Sequence, residues 1–121
     1  MSVHLIWGPM TSGMYSPSID VKLVGSLRLS PNLSRTYIEG MVCLTGFCLL
    51  NMAREASLAN QYARILVSSG GTHSALGNKK PYSSSRKVVI SVALFRDAAS
   101  CAIVSGAATL KTNEHARKFI T

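Results

Sequence analysis

Acidic side chains are scarce in this chain. Five Asp and Glu stand against thirteen Lys and Arg, for a net charge of +8 and a pI near 9.9. Between Ala56 and Arg96 there is no acidic residue, while Arg64, Lys79, Lys80, Arg86, Lys87 and Arg96 all fall in that span. The imbalance favours a polyanionic partner. With so few carboxylates no catalytic pair emerges, and no nucleophile stands beside a base, so no enzyme is expected. Cysteine is equally sparse. Three is an odd number, which argues against a disulfide framework and for a reducing compartment such as a mitochondrial matrix or bacterial cytoplasm. Cys43, Cys48 and Cys101 lie among apolar or small neighbours and read as buried, inert thiols. No Cys or His pair has zinc-ligand spacing, so neither a metal nor a cofactor is expected. The most apolar run, residues 40–53, is too short to span a bilayer, which needs about 20 residues. A secretory signal is not evident at the start, and no linker or repeat divides the chain.

Near the start, Val3 to Trp7 reads as a short strand. The following GPMTSG has the two glycines of a phosphate-binding loop and is similar to the loop of thymidine kinases. Met14 stands where the phosphate-binding Lys would be, and Tyr15 where the magnesium-holding Ser or Thr would be. It is read as a plain loop.

The chain's most patterned stretch is residues 21–50. Apolar or small residues fall at 21, 23, 25, 27 and 29, with Lys22, Ser26 and Arg28 between them. That period of two predicts a strand with one face on a core. Ser30-Pro31-Asn32 is a turn signal. Thr36 to Leu50, rich in β-branched, aromatic and apolar residues, reads as a second strand, bent at Gly40 and Gly46. Downstream, Asn51 to Val67 reads as a helix with Ala56, Ala59, Tyr62, Ala63 and Leu66 on one face, stopped by Ser68-Ser69-Gly70-Gly71. Residues 68–85 read as a loop. Arg86 to Leu94 reads as a buried strand. A helix follows from Ala98 to about Ser105 with Asp97 as its N-cap, then a strand from Ala107 to Thr112 and a short strand or helical tail from Ala116 to Thr121.

The spacing of Val21, Leu23, Val24, Gly25, Leu27 and Pro31, then Gly40, Val42, Phe47 and Leu49, resembles the opening of the single-stranded DNA-binding protein family. Residues 88–112 resemble that family's third strand, its barrel helix and the glycine that opens its fourth strand. The resemblance implies a mainly β fold: an OB-fold, a five-stranded Greek-key barrel with one or two helices. Residues 1–121 would form one domain, with 1–18 an N-terminal extension and 51–85 a long helix and loop insertion.

It also implies a non-catalytic protein that binds single-stranded DNA or RNA. Members of that family stack bases on aromatic rings, including a Trp at the start of strand three, where this chain has Arg86 and Lys87. Binding is therefore expected to lean on charge, through Lys22, Arg28, Arg35, Lys79, Lys80, Arg86, Lys87 and Lys111, with Tyr37 and Tyr82 as stacking rings. The chain would act as a homo-oligomer or as a subunit of a larger complex, without a membrane. The alternative reading is a structural OB-fold subunit of a ribonucleoprotein or other large complex.

Overall fold

The computed structural model describes residues 3–11, 16–74 and 86–112. Val3–Pro9 forms β1, whose run from Leu5 to Pro9 is buried throughout. A strand apolar on both faces belongs in the middle of a sheet. It does so here: the sheet has four strands in the order β2-β1-β3-β4. Helix α1 is Ile19–Ser26, β2 is Ser34–Tyr37, and a 3-10 turn, Val42–Leu44, leads into helix α2, Thr45–Ala59. Strand β3, Arg64–Gly71, precedes helix α3, Arg86–Leu94. Strand β4, Ala98–Ser105, and helix α4, Ala107–Thr112, complete the described chain.

β1 pairs in parallel with β2 and with β3, and β4 runs antiparallel to β3. β2 and β3 therefore flank β1 on opposite sides. Right-handed βαβ crossovers then send α1 and α2 to opposite faces. The side chains agree. Ile6 packs with Leu49 and Ala53 of α2 and with Ile65 and Val67 of β3 in one apolar cluster. Trp7, pointing the other way, lines a cavity with Ile19 of α1. Leu49 and Ile65 are fully buried, each worth about 1.5–3 kcal/mol of transfer free energy.

This is an open α/β sheet. It is neither a closed Greek-key barrel nor an OB-fold, and several segments take the opposite form to their sequence expectation. The reasons are physical. Residues 21–29 alternate, but they also place Ile19, Asp20, Leu23 and Val24 on one helical side, and those are the buried or half-buried positions of α1. Over eight residues both periods fit, and the packing against β1 selects the helix.

The expected second strand stops at Tyr37. Gly40 at φ 88° and Val42 at φ 46° turn the chain sharply, and a buried stripe of Thr45, Leu49 and Ala53 then runs at helical spacing. The helix that the sequence placed at 51–67 ends at Ala59. Beyond it Ala63, Ile65, Val67 and Ser69 are buried at a period of two, and this is β3. Arg86–Leu94 is helical despite its valines and isoleucine, with Ser91 Oγ donating to the Lys87 carbonyl at 2.9 Å. Ala98–Ser105, whose small residues suggested a helix, is paired along its length with β3. Small side chains permit either form, and the open edge of β3 decides it. Ala107–Thr112, expected as the fourth strand, is α4. Val3–Trp7, read as a strand, is one.

Candidate functional site

Strands β1 and β3 are neighbours, yet the chain leaves β1 towards β2 and returns to β3 from the other side. In open α/β sheets the crevice at the carboxyl ends of two such strands is the usual place for a ligand. A cavity of about 430 Å³ lies there, lined by Trp7 and Pro9 of β1, Ile19 of α1, Gly70 of β3, and Ala98 and Ala99 of β4. Its walls are mainly apolar. The two strand ends are tied by Met10 N–H donating to the Gly70 carbonyl at 2.9 Å and by Ser69 Oγ donating to the Gly8 carbonyl at 2.8 Å.

Asp97 also lines this cavity, and its carboxylate is committed. Oδ1 accepts from the N–H groups of His73 and Ser74 at 2.6 and 2.8 Å, and Oδ2 accepts from Ser74 Oγ at 2.6 Å. The hydrogen bonds, first that of the Ser74 side chain, hold this carboxyl below its ordinary value of 3.8. Asp97 thus caps the chain after β3 and does not cap a helix of its own. Ser74, His73 and Asp97 do not form a hydrolytic triad. The His73 ring stacks on Phe95 with centroids 5.2 Å apart, and its Nδ1 faces the Arg96 carbonyl at 3.3 Å.

The second feature at this edge of the sheet is the turn before α2. The chain passes from β2 through Gly40 and Val42, both in left-handed conformations, into a helical run that starts at Val42. A β-branched residue at positive φ is a strained position, found mostly where a function holds it. Cys43 follows immediately and is exposed. A thiol thus stands at the head of a helical run, directly after a strained turn. Among the described residues nothing hydrogen-bonds the Cys43 thiol. The positive end of a helix stabilises negative charge placed beside it, including the oxyanion of an attacked carbonyl.

The turn is held from beneath. Thr45, almost completely buried, places Oγ1 2.7 Å from the Val42 carbonyl and 3.4 Å from that of Pro9. Pro9 also lines the cavity, so the end of β1 is common to the cavity and to the turn that carries Cys43.

The reading of all three cysteines as buried thiols is overturned: Cys43 and Cys101 are exposed and Cys48 is half-buried. The signal for Cys43 was present as a cysteine three residues after Gly40 and two before the Thr45, Leu49, Ala53 stripe. The surrounding Met41, Val42 and Leu44 disguised it as core, yet all three are exposed.

The residues expected to bind nucleic acid do not converge. Lys22 is exposed on α1, and Arg28 follows that helix. Arg35, on β2, reaches the buried Asp20 carboxylate at 3.3 Å. Tyr37 ends β2, and desolvation, then the Glu39 carboxylate, raise its phenol above the usual value. Arg86 and Lys87 open α3, and Lys111 lies on α4. Lys79, Lys80 and Tyr82 lie outside the described residues. The barrel face that would have gathered these groups is absent, because β2 is a four-residue edge of an open sheet. No helix among the described residues is long and apolar enough to cross a membrane.

Comparison with known proteins agrees with this architecture. The sequence model of the N-terminal domain of chalcone and stilbene synthases matches residues 2–108. Among solved structures, 1,3,6,8-tetrahydroxynaphthalene synthase from Streptomyces coelicolor A3(2), a bacterial type III polyketide synthase, superposes with a TM-score of 0.73 at 21% identity, over 85% of this chain and 29% of that one. The C-terminal type III polyketide synthase domain of Steely1, a type I/III hybrid from Dictyostelium, gives 0.73 at 22% identity, over 84% and 27%. The chain spans less than a third of either structure. These findings overturn the single-stranded DNA-binding resemblance and, with it, the DNA or RNA partner, the ribonucleoprotein alternative and the expectation of a non-catalytic protein. The fold is the mixed α/β fold of the synthases, and the chain belongs to the chalcone and stilbene synthase family.

Proposed function

We propose that this chain carries the acyl-accepting part of a polyketide-type synthase, with Cys43 as the residue that takes the acyl group. The observation that carries the reading is the exposed Cys43 thiol at the head of α2, on a turn strained at Val42. A thiol is the natural acceptor for an acyl group delivered as a thioester, because one thioester is exchanged for another of similar energy. Cys43 gives up its proton, and Sγ attacks the carbonyl carbon. The carbonyl electrons move to oxygen, return, and expel the carrier thiolate, which takes up the proton. One carbon–sulfur bond forms and one breaks, with nothing oxidised or reduced. The apolar cavity beside the end of β1 suits the hydrocarbon part of the acyl group.

The test is release of the carrier thiol. Mixed with a hexanoyl thioester of a small thiol, the full chain is expected to release about one equivalent in a burst, as an acyl-enzyme does. Cys43→Ser should abolish the burst and Cys101→Ser should leave it. A burst of the same size in Cys43→Ser would remove Cys43 from this role.

A further inference from the structure

We propose that Thr45 is the positioning residue for Cys43, holding the Val42–Cys43 peptide of the strained turn through its hydroxyl. The inference rests on the reading of Cys43 as the acyl acceptor. Thr45 is 1% exposed, and its side chain has two separable parts. The methyl group fills the space over Gly8, where a β-carbon built on that glycine would come within 2.6 Å of it. The hydroxyl has a single hydrogen and two carbonyls within range. At 2.7 Å the Val42 carbonyl is the acceptor, and the Pro9 carbonyl at 3.4 Å is the alternative.

The Val42 carbonyl also accepts from the Thr45 N–H. Two donors from one buried residue therefore hold the peptide that joins Val42 to Cys43. That peptide needs holding. Val42 sits at φ 46°, a conformation an L-residue with a branched β-carbon leaves unless its surroundings forbid it. Loss of the hydroxyl would let the turn relax and shift the thiol that follows it. Because Pro9 lines the cavity, the same hydroxyl also lies between the cavity wall and the Cys43 turn.

The experiment uses the full chain carrying Cys48→Ala and Cys101→Ala, so that Cys43 is its one thiol. Two rates, acylation by a hexanoyl thioester and alkylation by iodoacetamide, are compared with the melting temperature in the parent and after Thr45→Val or Thr45→Ser. Valine keeps the shape and methyl group and removes the hydroxyl, while serine keeps the hydroxyl and removes the methyl. Acylation is expected to fall at least about tenfold in Thr45→Val, since misplacing a reacting group by about 1 Å costs up to about a hundredfold. Alkylation, which asks only for an accessible thiol, should stay within about twofold, and Thr45→Ser should restore acylation at a lower melting temperature. Undiminished acylation in Thr45→Val would overturn the proposal, and so would acylation in Thr45→Ser as slow as in Thr45→Val. A parent chain that is alkylated but never acylated at Cys43 would instead overturn the reading on which it rests.

Discussion

Gly8 and Thr45 are in contact across the sheet-to-helix interface so closely that a β-carbon on Gly8 would lie 2.6 Å from Thr45 Cγ2 and 3.1 Å from Leu49 Cδ2. The missing side chain lets α2 sit down on β1, and the head of that helix carries Cys43. A backbone choice in the first strand thus sets the height of the turn that carries Cys43.

Gly8→Ala is therefore expected to cost stability and function together. Overpacking of this kind costs about 1–3 kcal/mol. Chemical denaturation should show that loss, and acylation of Cys43 should slow in the variant that remains folded. A fully stable and fully reactive Gly8→Ala would mean that the interface has slack that the contact distances exclude.

Leu49→Ala tests the cluster that binds α2 to the sheet. Leu49 is fully buried against Ile6, Ile65 and Val67, so truncation should cost about 2–5 kcal/mol. Exposed Phe47, two residues earlier, is the control: Phe47→Ala should change stability little. Equal losses at the two positions would contradict the assignment of the helix faces.

Asp97 predicts an acid-side loss of stability. Its carboxyl is held below 3.8 first by the Ser74 hydroxyl and then by backbone N–H groups. A depressed carboxyl stabilises the fold above its unfolded value and loses that contribution as pH falls through the folded one. Asp97→Ala should be less stable than the parent near neutral pH, with the gap closing below about pH 4. A gap that is constant across the range would show that the capping charge contributes nothing.

His4 predicts a second loss at milder pH. Burial holds its imidazole below the ordinary 6.5, and its Nε2 lies 2.8 Å from Thr36 Oγ1. The unfolded chain then takes up a proton at higher pH than the folded one. Stability is complete above 6.5 and falls as pH drops from there towards the folded value. His4→Gln should flatten that part of the stability profile, as urea midpoints across pH 5–7 would show, and an unaltered slope would count against it.

Little beyond β1 was legible in the sequence. Residues 21–29 satisfy a period of two and a period of 3.6 at once, so only the neighbouring β1 distinguishes them. Arg86–Leu94 has the β-branched composition of a strand and is helical, and Ala98–Ser105 has the small residues of a close-packed helix and is a strand. For Ala98–Ser105 the pairing with β3 outweighs local preference, whereas no packing among the described residues accounts for the helix at Arg86–Leu94.

The Thr45, Leu49, Ala53 stripe was visible, but it straddles the boundary drawn at Asn51 between an apolar strand and a polar helix. Cys43 was hidden by composition. Its neighbours Val42 and Leu44 are 56% and 62% exposed, so an apolar run that reads as core is surface here. A large exposed apolar patch at a helix head is a sign of contact with something else, and sequence hydropathy alone cannot separate that from a core. The basic residues misled for the converse reason: charge counts along a chain do not say that the charges share a face.

The most direct test of the central claim is peptide mapping of the full chain after brief exposure to a hexanoyl thioester, with all three cysteines intact. The hexanoyl mass is expected on the peptide that holds Cys43, ahead of any on Cys101, although both thiols are exposed. Acyl label distributed equally between Cys43 and Cys101, or found first on Cys101, would contradict it.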